Sequence, residues 1–172
     1  IHRFTPVIGT EQQADGSWVV RTPNGDIHTK WIVNAAGLWG REVAALAGIT
    51  LPLQPTEHQY FVTETIAEIA AMEQRLPSVA DRDGEYYLRQ EGQGLLIGAY
   101  EKDLRFWAEE GTPIDFAHEL FADDLDRIED NMMRAIKRVP VLGAAGIKRV
   151  INGQMIWSPD SNVLYGCLLY TS

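Results

Sequence analysis

The chain has 172 residues, of which 45% are hydrophobic and 23% are charged, and its formal net charge at pH 7 is −9. These fractions are typical of globular proteins, and no apolar run approaches the ~20 residues of a membrane-spanning helix, so we expect no membrane partner. The excess of acids also predicts no nucleic-acid partner, because a phosphate-binding surface needs clustered Lys and Arg.

The cysteine and histidine content bears on redox compartment and metal binding. Cys167 is the single cysteine, and the four histidines are scattered along the chain. No internal disulfide can form, and the spacing of a zinc site is absent, so we expect a reducing compartment and no metal. Because the chain opens on Ile1 rather than Met, we interpret it as an incomplete piece of a longer protein.

A hairpin and a strand–turn–helix segment are predicted within the first 50 residues. The Asn24-Gly25 turn tolerates positive φ and should join a strand over residues 17–22 to a second strand over 27–35. The small residues Asn34-Ala35-Ala36-Gly37 then lead into a helix over 39–47. Such a turn lets the backbone approach a dinucleotide, although it also permits tight strand-to-helix packing without any ligand.

The middle of the chain is predicted to form a sheet. Residues 58–63 alternate as a strand does, with Tyr60 and Val62 on one face. Residues 84–90 and 94–100 are rich in strand formers and should pair as an antiparallel hairpin, and a short helix is expected over 67–74.

The last third is predicted to be helical and then extended. Apolar residues recur every three to four positions over 115–139, which favours a short helix followed by a longer one that Pro140 ends. A strand over 146–157 and a turn at 158–160 complete the pattern. The mixture predicts an α+β fold.

Three side chains of the predicted sheet are candidates for chemistry. His58 has a side chain whose ordinary pKa is close to neutrality, and it could orient a substrate or be a structural histidine. Strand alternation places Tyr87 and Arg89 on one face, where a phenol and a guanidinium could hold an amino acid carboxylate. The alternative for this pair is a half-exposed Tyr and Arg stacked for stability.

Four segments together resemble the dimethylglycine and sarcosine dehydrogenases, which are part of the D-amino-acid-oxidase-like flavoprotein family. These segments are residues 33–39 (VNAAGLW), 58–60 (HQY), 84–90 (GEYYLRQ) and 158–160 (SPD). The resemblance covers nearly the whole chain. It implies an α/β flavoprotein fragment that oxidises a C–N bond with FAD as cofactor.

The resemblance also implies roles for individual residues. It makes Val7, Ala36, Gly37 and Trp39 cofactor-binding residues. It likewise makes His58 and Tyr87 catalytic residues beside the flavin, with Arg89 binding the substrate, whereas Tyr86 should point away.

The family organisation implies three parts. Residues 1–50 would be a partial FAD-binding domain, 51–150 a substrate domain, and 151–172 a return toward the FAD-binding domain. The implied partners are an N-methyl amino acid and, through a C-terminal domain outside this chain, tetrahydrofolate. The expected location is the cytoplasm, or the mitochondrial matrix for a eukaryotic protein.

The chain departs from the family pattern at several places. The Gly-x-Gly-x-x-Gly turn and the histidine that bonds FAD covalently in many relatives are expected upstream of Ile1, so the chain alone should bind FAD poorly. Gln154 and Val163 replace usual prolines, and residues 167–172 match no segment of the family. The rival interpretations are another amine or glycerol-phosphate flavoenzyme, which would need more basic residues near Arg89, and a non-catalytic binding module.

Overall fold

The computed structural model describes residues 1–117 and 119–167, and the predicted α+β class is confirmed. The chain divides into two compact units. The first contains residues 1–55, 108–116 and those from 156 onward, and the second contains 56–107 and 117–155. Of the tail that was expected to match no segment of the family, 167–172, residues 168–172 lie outside the described part.

The first unit contains a small antiparallel sheet with the order β1-β2-β3. Its strands are β1 (Gly9–Gln12), β2 (Trp18–Arg21) and β3 (Ile27–Thr29). The hairpin predicted between β2 and β3 is confirmed, with Gly25 at a φ of 115° and the Thr22 hydroxyl donating to its carbonyl oxygen at 2.6 Å. Glycine suits this turn because side chains strain a positive φ.

The strand predicted to run on to Ala35 is wrong, because β3 ends at Thr29. The apolar residues that follow have no strand partner within the described ranges, and Val33 is 86% exposed. The predicted helix is a 3-10 turn, Gly37–Trp39, followed by α1 (Gly40–Ala45). Gly48, at a φ of 72°, follows the end of this helix, a position that favours glycine.

The second unit contains a five-stranded sheet with the order β5-β6-β7-β4-β8. Its strands are β4 (Gln54–Thr63), β5 (Val79–Asp81), β6 (Tyr86–Glu91), β7 (Gly94–Ala99) and β8 (Ile147–Trp157). Two helices accompany them, α2 (Ala67–Ala70) and α3 (Glu129–Arg138). The predicted hairpin is β6 and β7, whereas β5 was not predicted. Among the described residues, no helix has the length and apolarity needed to cross a bilayer.

The register of this sheet separates a core face from a polar face. Phe61, Ile97 and Leu88 align across β4, β7 and β6 and belong to the buried core, to which Ile128 and Ala135 contribute. Alternation then places Tyr60, Gly98 and Tyr87, which also align, on the opposite face.

The short helix predicted near the start of residues 115–139 is absent from the described residues of that stretch. The reason is a tertiary contact. The buried Gln59 side chain bonds both backbone groups of Asp124, accepting from its N–H at 3.2 Å, and the Phe121 backbone bridges to Asn152. Backbone groups used in these contacts are withdrawn from a helix, so regular α-helix begins only at Glu129.

The turn before β6 makes stability depend on pH. The Gly84 amide donates to Asp81 at 2.8 Å and holds the pKa of that carboxyl below its ordinary value of 3.8, with the Tyr86 hydroxyl and Arg138 acting in the same direction. Because the pKa of Asp81 is lower in the folded than in the unfolded protein, its ionised carboxylate stabilises the folded state at pH values above the unfolded pKa. This stabilisation is lost as the pH falls through the folded pKa.

We therefore expect Asp81→Asn to be less stable than the parent at pH 7, with the difference shrinking below about pH 4. Urea unfolding of both proteins between pH 2.5 and 7 measures the difference between their free energies of unfolding. The exposed neighbour in the same turn gives the control, Asp83→Asn. A difference that stays constant down to pH 2.5 would contradict the assignment.

Candidate functional site

The polar face of the second unit carries a row of three rings, His58, Tyr100 and Tyr87, which we call the aromatic row. The ring centroids of His58 and Tyr100 lie 6.0 Å apart, and those of Tyr100 and Tyr87 lie 5.5 Å apart. Tyr100 is 46% exposed, whereas the other two are partly buried. The arrangement therefore combines an imidazole and two phenols with access from solvent.

A glycine provides the room for the Tyr87 ring. Tyr87 lies opposite Gly98 in the register, and a Cβ built on Gly98 would come within 2.0 Å of the Tyr87 Cζ atom. The phenol therefore lies directly over the β7 backbone, in the direction of Tyr60 on the next strand. Gly98 allows the Tyr87 ring to approach the backbone closely, because any side chain at this position would occupy the same space.

The Tyr87 hydroxyl is held in its neutral form. Burial raises the pKa of this phenol above its ordinary value of 10.0, and the neighbouring Tyr100 and Tyr60 raise it further. At neutral pH the group is an O–H that can donate one hydrogen bond and accept others. It is suited to binding and orienting a polar ligand.

Arg89 lies two residues beyond Tyr87 on β6 and therefore on the same face, as the alternation predicted. Its side chain is exposed, and its guanidinium lies 3.6 Å from the Glu91 carboxylate. Its proposed role in holding a substrate carboxylate stays a prediction. Tyr86 lies on the opposite face and is buried, with its hydroxyl 3.1 Å from Asp81.

On its Nδ1 side, His58 adjoins a group of largely buried charged side chains. We call this group, which consists of Glu57, Glu101 and Arg127, the charge cluster. The Arg127 guanidinium lies 3.4 Å from Glu57 and 3.6 Å from Glu101, and Glu101 lies 3.4 Å from the His58 Nδ1 atom. The buried Asn152 donates to Glu57 at 3.0 Å. The cluster connects β4, the segment after β7 and the turn before α3.

The first unit has its own candidate site, a cleft of about 340 Å³. It is lined on one side by Asn34, Ala35, Ala36 and Gly37, and on the other by residues 156–158 and 161–164. The Trp157 indole N–H is buried and has no hydrogen-bond partner among residues 1–117 and 119–167. A buried donor of this kind calls for an acceptor from outside these residues, such as water or a ligand.

The predicted small-residue turn forms part of this cleft wall. The Asn34 side chain donates to the Gly40 carbonyl oxygen at 2.7 Å and accepts from the Ala36 amide at 3.2 Å, which holds the turn. Gly37 has a φ of 57°, and a Cβ there would meet nothing within 4 Å, so space lies open beside it.

The other two predicted cofactor contacts are placed differently. The Trp39 indole donates to the Pro113 carbonyl oxygen at 3.0 Å, and Val7 is exposed just before β1. Neither residue lines the cleft. Their assignment to the cofactor stays a prediction.

Sequence patterns missed Tyr100, Glu101 and Arg127. Alternation along the strand ending at Ala99 offered a signal for Tyr100, which falls on the Gly98 face. No local signal marked Glu101 or Arg127, because their partners lie far away along the chain. No cluster of His, Cys, Asp and Glu suited to a metal occurs in the described ranges 1–117 and 119–167.

Comparison with known proteins gives a family match over almost the entire length. The family model described as FAD dependent oxidoreductase (DAO) matches residues 1–169, so the expectation that residues 167–172 match no segment of the family is wrong for residues 167–169. Mitochondrial dimethylglycine dehydrogenase of Mus musculus is 46% identical over 160 residues, which are 90% of this chain and 18% of that protein. Mitochondrial sarcosine dehydrogenase of Mus musculus is 40% identical over 147 residues, 86% of this chain and 15% of that protein. The chain thus spans less than a fifth of either relative.

Solved structures show the same fold. L-proline dehydrogenase from P. horikoshii superposes with a TM-score of 0.70 and 25% identity, covering 96% of this chain and 41% of that one. Glycine oxidase from Geobacillus kaustophilus superposes with a TM-score of 0.63 and 20% identity, covering 94% of this chain and 38% of the glycine oxidase chain.

Proposed function

Since the chain belongs to the FAD-dependent oxidoreductase family, we propose that its protein oxidises the C–N bond of an N-methyl amino acid of the dimethylglycine or sarcosine type. The observation that carries the proposal is the aromatic row, which presents an imidazole and a neutral phenol on one face of the second unit. The names of the relatives support the substrate class, since the first two are dehydrogenases of dimethylglycine and sarcosine.

The cleft of the first unit is chemically suited to part of the cofactor. Its wall of small residues leaves the backbone accessible, and its buried Trp157 N–H has no acceptor in the part of the chain that the structure describes. We assign Ala36 and Gly37 to this contact, with Trp157 as a donor, and we retain Val7 and Trp39 as further candidates. FAD, when bound, supplies the acceptor for a hydride from the N-methyl carbon.

The protein's own residues bind the amine and control its proton. His58 is assigned as the base that keeps the substrate nitrogen uncharged, because a nitrogen that carries an extra proton has no lone pair to assist loss of hydride. The neutral Tyr87 hydroxyl orients the substrate, and Arg89 binds its carboxylate, for which it would have to leave Glu91.

The remaining assignments come from the family. We propose that the first unit is part of the FAD-binding domain and that the second is part of the substrate domain. Tetrahydrofolate is a proposed second partner, bound by a domain outside this chain. The first relatives are mitochondrial proteins, which supports the mitochondrial matrix as the location if the source is a eukaryote, and the cytoplasm otherwise.

Reduction of bound flavin by candidate amines tests the proposal. In the complete gene product, we expect dimethylglycine or sarcosine to bleach the flavin absorbance. His58→Ala and Tyr87→Phe should each slow this reduction, by about 100-fold for the base and about 10-fold for the phenol. Stopped-flow absorbance measures the rate constant of reduction and the substrate dissociation constant together.

Two variants serve as matched controls. Tyr86→Phe removes the neighbouring phenol on the opposite face, and His28→Ala removes an exposed histidine in β3 of the first unit. In both variants the substrate should reduce the bound flavin at the parental rate. Bound flavin that no N-methyl amino acid reduces would reject this substrate class. A protein that binds no flavin would support the non-catalytic module instead.

A further inference from the structure

Glu101 is a buried acid that the proposed reaction does not yet use. Its side chain is 1% exposed, and neither of its carboxylate oxygens accepts a hydrogen bond within the described residues. It lies instead between two basic groups, with one oxygen 3.4 Å from the His58 Nδ1 atom and the other 3.6 Å from Arg127. Enclosing a carboxylate in this way is costly unless neighbouring charges offset it.

The position of Glu101 is itself supported. Arg127 is 4% exposed and contacts Glu101 on one side and Glu57 on the other. Asn152 donates from one nitrogen both to Glu57 and to the Ala122 carbonyl oxygen. These contacts come from separate elements, so the Glu101 carboxylate is held against His58 by groups that do not belong to the aromatic row.

The charges of the cluster are unequal. Two carboxylates, Glu57 and Glu101, face a single enclosed guanidinium, that of Arg127. Arg105 is 4.0 Å from Glu57, but it is exposed and binds Asp124 at 2.8 Å. An imidazolium formed on His58 during the reaction would therefore lie beside an excess of carboxylates.

We propose that Glu101 is a positioning residue for His58, an inference that rests on the proposed function. The Glu101 carboxylate, 3.4 Å from Nδ1, electrostatically favours the hydrogen on that nitrogen, which leaves the Nε2 lone pair available to the substrate. Nε2 then takes a proton from the ammonium form of the substrate. The substrate N–H bond breaks and an Nε2–H bond forms, so the amine keeps the electron pair and the imidazolium lies beside the Glu101 carboxylate.

The histidine tautomer tests this arrangement without any substrate. With ¹⁵N-labelled histidine in the complete protein, we expect neutral His58 to show the shifts of a protonated Nδ1 and an unprotonated Nε2. His58→Asn identifies its signals among those of the four histidines of this chain and any others. A hydrogen found on Nε2 instead would overturn the inference, whatever the substrate is.

A double-mutant cycle tests the catalytic consequence. Glu101→Gln should slow flavin reduction by about 10- to 100-fold while leaving the substrate dissociation constant nearly unchanged. In the His58→Ala background the same change should alter the rate by about twofold at most, because Glu101 then has no imidazole to position. An equal fractional loss in both backgrounds would show a merely structural carboxylate and reject the proposal.

A control variant and a substrate-independent measurement distinguish failure of this proposal from failure of the proposed function. Glu85→Gln changes a carboxylate that pairs with Lys102 and Arg134, away from His58, and should reduce flavin at the parental rate. If no N-methyl amino acid reduces the parent, the proposed function fails, and the tautomer of His58 still decides the role of Glu101.

Discussion

Replacing Gly98 with alanine is expected to lower the free energy of unfolding by about 1–3 kcal/mol, the range for overpacking a well-packed site. The added Cβ would lie 2.0 Å from Cζ and 2.3 Å from the hydroxyl oxygen of Tyr87, so the ring has to move. Because Tyr87 also contacts Tyr100, the change disturbs the aromatic row. We therefore expect slower flavin reduction together with the loss of stability.

Urea unfolding and stopped-flow reduction measure the two effects of Gly98→Ala. Gly153→Ala is the matched control, since it adds the same methyl group to β8 of the same sheet, where the nearest atom, on Leu120, is 3.6 Å away. That variant should keep the parental stability and rate. If both variants have the same stability, the Tyr87 ring does not require the space above Gly98.

Replacing Arg127 with methionine is expected to have the largest effect on stability. Breaking a buried ion pair by removing one partner costs about 3–5 kcal/mol, because the remaining charge stays enclosed without compensation. Arg127→Met would leave Glu57 and Glu101 facing each other's charge, with Glu101 almost completely buried. Methionine retains much of the side-chain length, so the loss is mainly electrostatic.

A neighbouring arginine separates this effect from the loss of any positive charge. Arg134 lies in α3, pairs with Glu85 at 2.9 Å and is 42% exposed. Arg134→Met should therefore cost less than about 1 kcal/mol, as exposed pairs do. The free energies of unfolding of both variants, from urea titration, decide the matter. Equal losses would mean that the charge cluster is open to solvent.

Some elements could be read from local pattern alone. The Asn24-Gly25 turn, the β6–β7 hairpin and the strand over His58 each depend on residues that are neighbours in sequence. Strand alternation also placed Tyr87 and Arg89 together and Tyr86 on the other face. The catalytic roles of His58 and Tyr87 came from family resemblance, and they stay predictions that the variants test.

Other features required contacts between distant parts of the chain. The apolar spacing over residues 115–139 matches a helical period. The Gln59 side chain nevertheless hydrogen-bonds to the backbone N–H and C=O groups of Asp124, which are then not used in a helix. The run around Val33 has strand character without a strand partner among the described residues. Local preference is weak compared with the contacts that tertiary structure supplies, so these two regions depart from their patterns.

The sequence by itself determined the α+β class, the positions of most strands along the chain and the family, because alternation, turn residues and short motifs act over a few neighbouring positions. Only the tertiary structure decided that Tyr100 joins His58 to Tyr87 and that Arg127 meets Glu57 and Glu101. Charges brought together across tens of residues leave no local period, since their pairing is set by how the strands and the turn before α3 pack.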